Sequence, residues 1–149
     1  QVERYPGGKV GDAILAWERP KQGGGTLGGA TLRGKPYIMT FWASWCAPCK
    51  KELPALAELY RTSKDRGLEI VAVNVDRDRA AADRYLAENP LPFPVVYDTD
   101  NSMMDRFDTR GVPTTFWVER SGVIRQRTVG YDEHGQNKLL EDVNDLIAR

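Results

Sequence analysis

The chain has 149 residues, 41% of them hydrophobic, and its 21 basic and 21 acidic side chains cancel. That length and apolar content supply the core of one compact domain spanning 1–149, and a charge balance without long blocks of either sign excludes nucleic acid and acidic membrane surfaces as partners. No run approaches the roughly 18 apolar residues of a membrane span, and the first residues lack the basic-then-apolar pattern of a signal peptide, so the expectation is a cytosolic protein or one whose leader preceded this numbering.

In chain order, Gln1 to Gly34 is rich in glycine, with Gly23-Gly24-Gly25 and Gly28-Gly29 punctuating apolar pieces such as Ala13-Ile14-Leu15-Ala16-Trp17. This predicts a loosely ordered start over residues 1–9, then a β-hairpin or two short strands on the domain edge. Tyr37 to Trp42 reads as a buried strand, and after Pro48 the spacing of Leu53, Leu56, Ala57 and Tyr60 is that of an amphipathic helix, which Pro54 should kink. Gly67 ends that helix, and the β-branched run Leu68 to Asp76 is a second buried strand. Arg79 to Glu88 is a crossover helix stopped near Asn89-Pro90, completing a βαβ pattern. Leu91-Pro92-Phe93-Pro94 leads into the short apolar segment Val95-Val96-Tyr97, followed by a short helix from Ser102 to Phe107. Two antiparallel strands, Thr114 to Val118 and Val123 to Val129, are joined by a tight turn over Glu119-Arg120-Ser121-Gly122. A polar loop containing Glu133-His134-Gly135 precedes a last helix whose buried face is marked by Leu139, Leu140, Val143, Leu146 and Ile147. The sum is a mixed sheet covered by helices, without internal repeats.

Both cysteines, Cys46 and Cys49, stand at the junction of the Tyr37–Trp42 strand and the following helix. The loop they would close is too small for a structural disulfide to constrain the unfolded chain much. A closed zinc site needs four ligands, and His134 is far away in sequence; we assign His134 no catalytic role and expect no metal. Thiol redox chemistry is the remaining reading. Cys46 occupies the exposed tip of the helix, where unpaired N–H groups and the positive end of the helix dipole favour a thiolate, whereas Cys49 lies one turn inward. Pro48, in the first turn, loses nothing by lacking an N–H. Trp42 packs in the strand, Trp45 forms a partly exposed apolar wall beside Cys46, and Lys50 reads as a solvated charge that adds positive potential at most.

The strand running into Trp45-Cys46-Ala47-Pro48-Cys49-Lys50, the helix with Pro54 inside it, and Gly111-Val112-Pro113-Thr114 before a hairpin together resemble the thioredoxin superfamily. Leu32-Arg33-Gly34-Lys35-Pro36, Phe41 to Cys46, Lys50-Lys51-Glu52-Leu53-Pro54, Val73-Asn74-Val75-Asp76 and Leu91-Pro92-Phe93-Pro94 are similar to its extracytoplasmic TlpA/ResA-like branch. The resemblance implies an α/β thioredoxin fold with an N-terminal β-hairpin and an inserted segment between Asp76 and Gly111. It implies that Cys46 attacks and Cys49 resolves, with the Cys46–Cys49 disulfide as the redox centre and no other cofactor, and that Ala47-Pro48 helps set how reducing the pair is. Pro113 corresponds to a cis-proline facing the cysteines, with Val112 offering its backbone to an extended target; the plain reading of the residues is a trans turn proline.

Glu52, three residues after Cys49, matches a glutamate of that branch and is the candidate acid/base, against the plainer reading of a solvated helix-surface residue. Thr40 stands where cytosolic thioredoxins carry a buried Asp, which removes their proton path. The implied function is reduction of disulfides in extracytoplasmic proteins, for example during cytochrome c maturation, by a monomer fed from an upstream membrane electron donor, with the leader absent from this sequence. A disulfide-forming oxidase is the nearest alternative, and a non-catalytic binding module the alternative of another class. A peroxidase of the peroxiredoxin type is disfavoured because Ala43, not Thr, lies three residues before Cys46.

Overall fold

The structure, a computed structural model, describes residues 8–149, with the backbone alone for residues 133–137. Most of the stretch expected to be loose therefore lies outside the described residues, as does the side chain of His134. Gly8, within that stretch, is buried, and its carbonyl accepts a hydrogen bond from Arg127 at 2.8 Å.

Two short strands, β1 (Glu18–Pro20) and β2 (Thr26–Gly28), pair antiparallel as a hairpin. Gly23, Gly24 and Gly25 form its loop with φ of 89°, 110° and 72°, a region that side-chain-bearing residues rarely occupy. The main sheet contains β3 (Tyr37–Trp42), β4 (Glu69–Asn74), β5 (Val95–Tyr97), β6 (Thr114–Val118) and β7 (Ile124–Val129), in the order β5-β4-β3-β6-β7. Helices α1 (Ala47–Ser63), α2 (Arg79–Glu88), α3 (Ser102–Arg106) and α4 (Glu133–Ala148) connect and cover it.

All six residues of β3 are buried, as expected of a central strand with both faces covered, and its backbone is paired on both edges, parallel to β4 on one side and antiparallel to β6 on the other. Helix α1 lays Cys49, Glu52, Leu53, Leu56 and Ala57 inward. Complete burial of a leucine such as Leu53 or Leu56 stabilises by about 1.5–3 kcal/mol, more than helix propensity contributes along several residues. Helix α4 adds Leu139, Val143 and Leu146 to the same core, with Ile147 packed against it, whereas Leu140, expected on that face, is exposed. Where the inserted segment meets the sheet, Phe41, Phe107 and Phe116 form an aromatic cluster with ring centroids 5.5–6.0 Å apart.

The N-terminal segment also reaches both sheet edges. Gly11 N–H donates to the Ile124 carbonyl at 2.8 Å and Ala13 bridges Val123, beside β7. At the other edge Gln22 N–H donates to the Val95 carbonyl at 2.9 Å and Lys21 bridges Val96 of β5. Backbone groups that would otherwise template pairing with another chain are thereby occupied.

Most elements coincide with the reading from sequence. One corrects it: the expected polar loop Glu133-His134-Gly135 is the first turn of α4. That turn contains no apolar residue, so hydrophobic periodicity has nothing there to detect, and a Glu at a helix N-terminus is favoured by the dipole.

Candidate active site

Register and helix initiation place the cysteines. β3 ends at Trp42, and after Ala43-Ser44-Trp45 the backbone of Cys46 is extended (φ −97°, ψ 107°) as the N-cap of α1. Its Sγ accepts a hydrogen bond from Cys49 N–H at 3.2 Å, so the helix start presents a backbone donor to the outer sulfur. Cys46 and Cys49 are joined as a disulfide, with Cα atoms 5.3 Å apart. Pro48 lies in the first turn, where its missing N–H costs no helical bond. Farther along, Pro54 sits inside α1 and gives the Lys50 carbonyl no N–H.

Exposure corrects one expectation. Cys46 is only 4% exposed and Cys49 is fully covered, whereas Trp45 is 70% exposed. The reason is the loop before β6: the Val112–Pro113 peptide bond is cis, and the Val112 carbonyl oxygen lies 3.5 Å from Cys46 Sγ. Phe41 pairs with Thr114 across β3 and β6, which carries Pro113 to the end of β3 where α1 begins. Exposed Trp45, Ala47 and Pro48 thus rim a shallow recess with Cys46 at its floor and Val112 as its opposite wall. Thr114 Oγ1 donates to the Gly111 carbonyl at 2.6 Å, and Gly130 N–H donates to the Pro113 carbonyl at 2.8 Å, fixing the loop from both sides. Trp42 is a core residue whose ring packs tilted against Tyr85 with centroids 5.5 Å apart, and exposed Lys50 places its Nζ 5.6 Å from the centre of the Tyr85 ring.

Asp76, to which the sequence reading gave no role at the site, anchors the segment leading into the recess. Its carboxylate accepts from Ser44 N–H at 2.8 Å, Ser44 Oγ at 2.9 Å and Asn74 Nδ2 at 2.8 Å. The tether sets the path of the chain immediately before Trp45 and Cys46.

Glu52 is 2% exposed, not a solvated surface residue. Thr40 Oγ1 lies in hydrogen-bond contact with its Oε1 at 2.6 Å and Thr115 Oγ1 with its Oε2 at 2.9 Å, and the two hydroxyl oxygens lie 2.9 Å apart. Burial, the larger effect, pushes the Glu52 carboxyl above the usual carboxylate range, opposed by any hydroxyl donation to its ionised form. On the side away from β3, Glu52 borders a cavity of about 240 Å³ between β7 and α4, lined also by Gln126, Thr128 and Asp142. The structure therefore gathers Cys46, Cys49, Trp45, Ala47, Pro48, Val112 and Pro113 at one pole, with Glu52 in the interior one turn along α1 from Cys49. Thr115 was not singled out from sequence; the signal was the register that sets it opposite Thr40.

A model of the AhpC/TSA family matches residues 10–127. The chain belongs to the AhpC/TSA family. Among individual relatives, the thiol-disulfide oxidoreductase ResA of Bacillus subtilis (strain 168) is 40% identical over 99 residues, 66% of this chain and 55% of that protein. ResA of Oceanobacillus iheyensis is 37% identical over 99 residues, covering 66% and 52% of the two chains. This AhpC/TSA chain thus spans about half the length of the curated relatives it matches. Of solved structures, one described as a thiol:disulfide interchange protein DsbE from Chlorobium tepidum superposes with a TM-score of 0.89 at 27% identity, covering 93% of this chain and 98% of the other. StoA from Bacillus subtilis gives 0.71 at 26% identity, covering 85% and 96%. The architecture is the thioredoxin fold inferred from the motifs, with the N-terminal hairpin and with α2, β5 and α3 between the second central strand and the cis-proline.

Proposed function

We propose that this AhpC/TSA-family chain is a protein thiol–disulfide oxidoreductase that reduces disulfides in extracytoplasmic proteins. The observation that carries the reading is the Cys46–Cys49 disulfide at the N-terminus of α1, with Cys46 as the outer sulfur facing Val112. In the reduced protein, Cys46 thiolate attacks one sulfur of a target disulfide. A mixed disulfide forms, and the target's other sulfur leaves as a thiolate and takes up a proton. Cys49 then gives its proton to the Glu52 carboxylate and attacks Cys46 Sγ, releasing the target's second sulfur. Two electrons have passed from the cysteine pair to the target, and the protein is left oxidised. A carboxyl raised above its ordinary range is a better proton acceptor for a thiol than an ordinary Glu, because the two affinities are closer.

The recess accepts an extended target segment whose backbone pairs with Val112 while Trp45, Ala47 and Pro48 contact its side chains. Among the described residues, no other backbone group takes the Val112 N–H or carbonyl. The likeness to ResA proteins and the TlpA/ResA-like segments support an extracytoplasmic location, re-reduction by a membrane electron donor, action as a monomer, and a substrate class that includes apoproteins of cytochrome c maturation. The Cys49→Ser variant tests the exchange chemistry. It should accumulate mixed disulfides through Cys46 with protein substrates, detectable on non-reducing gels and reversed by dithiothreitol. A variant that binds partners without any covalent adduct would establish a binding module instead.

A further inference from the structure

The contacts around Glu52 form a closed figure whose proton count can be made. Oε1 meets Thr40 Oγ1, Thr40 Oγ1 meets Thr115 Oγ1, and Thr115 Oγ1 meets Oε2, at 2.6, 2.9 and 2.9 Å. Each hydroxyl carries one hydrogen, and an ionised carboxylate carries none. With Glu52 ionised, two protons serve three contacts; if both hydroxyls turn to the carboxylate, the Thr40–Thr115 contact is left as lone pair against lone pair. With Glu52 protonated, three protons serve three contacts, and each oxygen pair is bridged. All three side chains are buried, and the β3–β6 register holds Thr40 and Thr115 opposite each other, which keeps their hydroxyls neighbours.

We propose that Thr40 and Thr115 are positioning residues that close a three-oxygen ring on the Glu52 carboxyl and keep its proton in place in the oxidised protein. The proposal rests on the oxidoreductase reading for its purpose: reduction of the disulfide leaves Cys49 as a thiolate, and a neutral acid one turn away supplies its proton. Thr40 is then not merely the loss of a buried Asp but the residue that tunes the replacement. The titratable groups facing this site from the surrounding elements are Cys49 on α1, Lys138 and Asp142 on α4, and Tyr131 and Asp132 on the segment before α4, the last four across the cavity. Asp142 already accepts from Gln126 Nε2 at 3.2 Å. That cavity has room for several waters, which gives the Glu52 proton a route toward solvent.

Infrared difference spectroscopy of the oxidised protein reads the proton directly, through the carbonyl stretch of a protonated carboxyl, with Glu52→Gln identifying the band. The band should be present at neutral pH and titrate above the ordinary Glu range; its absence there overturns the proposal. Thr40→Val deletes the hydroxyl while keeping the β-branched shape. The neutral ring loses two bonds and the ionised form one charge-assisted bond, which is roughly equal in strength to two neutral ones. Relief of the unbridged oxygen contact then decides the sign, and the midpoint should move down, as it should in Thr115→Val. Thr40→Ser should restore the original midpoint. A midpoint that rises or stays in Thr40→Val, or a serine variant that behaves like valine, shows that the hydroxyls act only as donors to the carboxylate or not at all. The band reports ionisation whether or not the protein exchanges disulfides, so this test and the Cys49→Ser trap fail independently.

Discussion

A carboxyl group taken out of water without a cationic partner favours its neutral form, and Glu52 is in that position: 2% exposed, with two hydroxyls as its hydrogen-bond partners. Burial raises its affinity for protons in the folded chain above that in the unfolded chain. The folded state then binds the proton more tightly, so this contribution to stability is complete below the unfolded value and is lost as pH rises through the folded value. Glu52→Gln should therefore differ little in relative stability at acid pH and gain on the wild type progressively as pH rises out of the ordinary Glu range, measured by urea unfolding at a series of pH values. A constant difference at all pH values contradicts this. The position of Glu52 on the Cys49 face was legible from a three-residue spacing, but its partners were not. Thr40 looked like the absence of a base because a hydroxyl has no useful acidity of its own. Thr115 is one of two adjacent strand threonines 75 residues away from Thr40, and only the strand register shows which of them faces the glutamate.

At the scale of elements, the site depends on how β3 hands over to α1. The three-residue connection would be free to wander, and Asp76, from the end of β4, holds it through Ser44. Asp76→Ala leaves the fully buried Asn74 amide and the Ser44 N–H without their acceptor. Hydrogen bonds to a charged group contribute about 1.5–3 kcal/mol each, and Ser44 can recover part of its loss from water, so the variant should be less stable by about 2–3 kcal/mol. The urea midpoint should fall with little change in slope, and exchange through Cys46 should slow beyond what the unfolded fraction explains. An unaltered rate would mean that the loop is held without Asp76.

Asp98 plays the comparable part in the inserted segment, accepting from Met103 and Met104 N–H at 3.0 and 2.8 Å and from Arg19 at 3.3 Å. Neither tether was readable from sequence, because an isolated aspartate after a strand resembles any turn residue until the fold shows what lies opposite. The strands and helices themselves were readable, since β3 and β4 are continuous apolar runs and α1 and α2 carry helical periodicity between glycine and proline stops.

For the whole molecule, the paired cysteines, the cis-proline loop and the insertion follow the order that the motifs implied, and the comparisons place the chain in the AhpC/TSA family with a thioredoxin fold. What no local pattern reveals is how the first thirty or so residues are used. From residue 8 on they do not stand apart as a hairpin on one edge but reach both edges of the sheet, at the start of β7 through Gly11 to Ala13 and at β5 through Lys21 and Gln22. The direction of electron flow is a property of the molecule as a whole, because it compares the free energies of the oxidised and reduced folds. Thioredoxin-like and DsbA-like pairs differ by about 150 mV, or roughly 7 kcal/mol, which is wide enough to separate a reductase from an oxidase. The equilibrium of the Cys46–Cys49 pair with glutathione measures it. The account predicts a potential near the thioredoxin value of about −270 mV, and a potential of about −150 mV would contradict the reductase function.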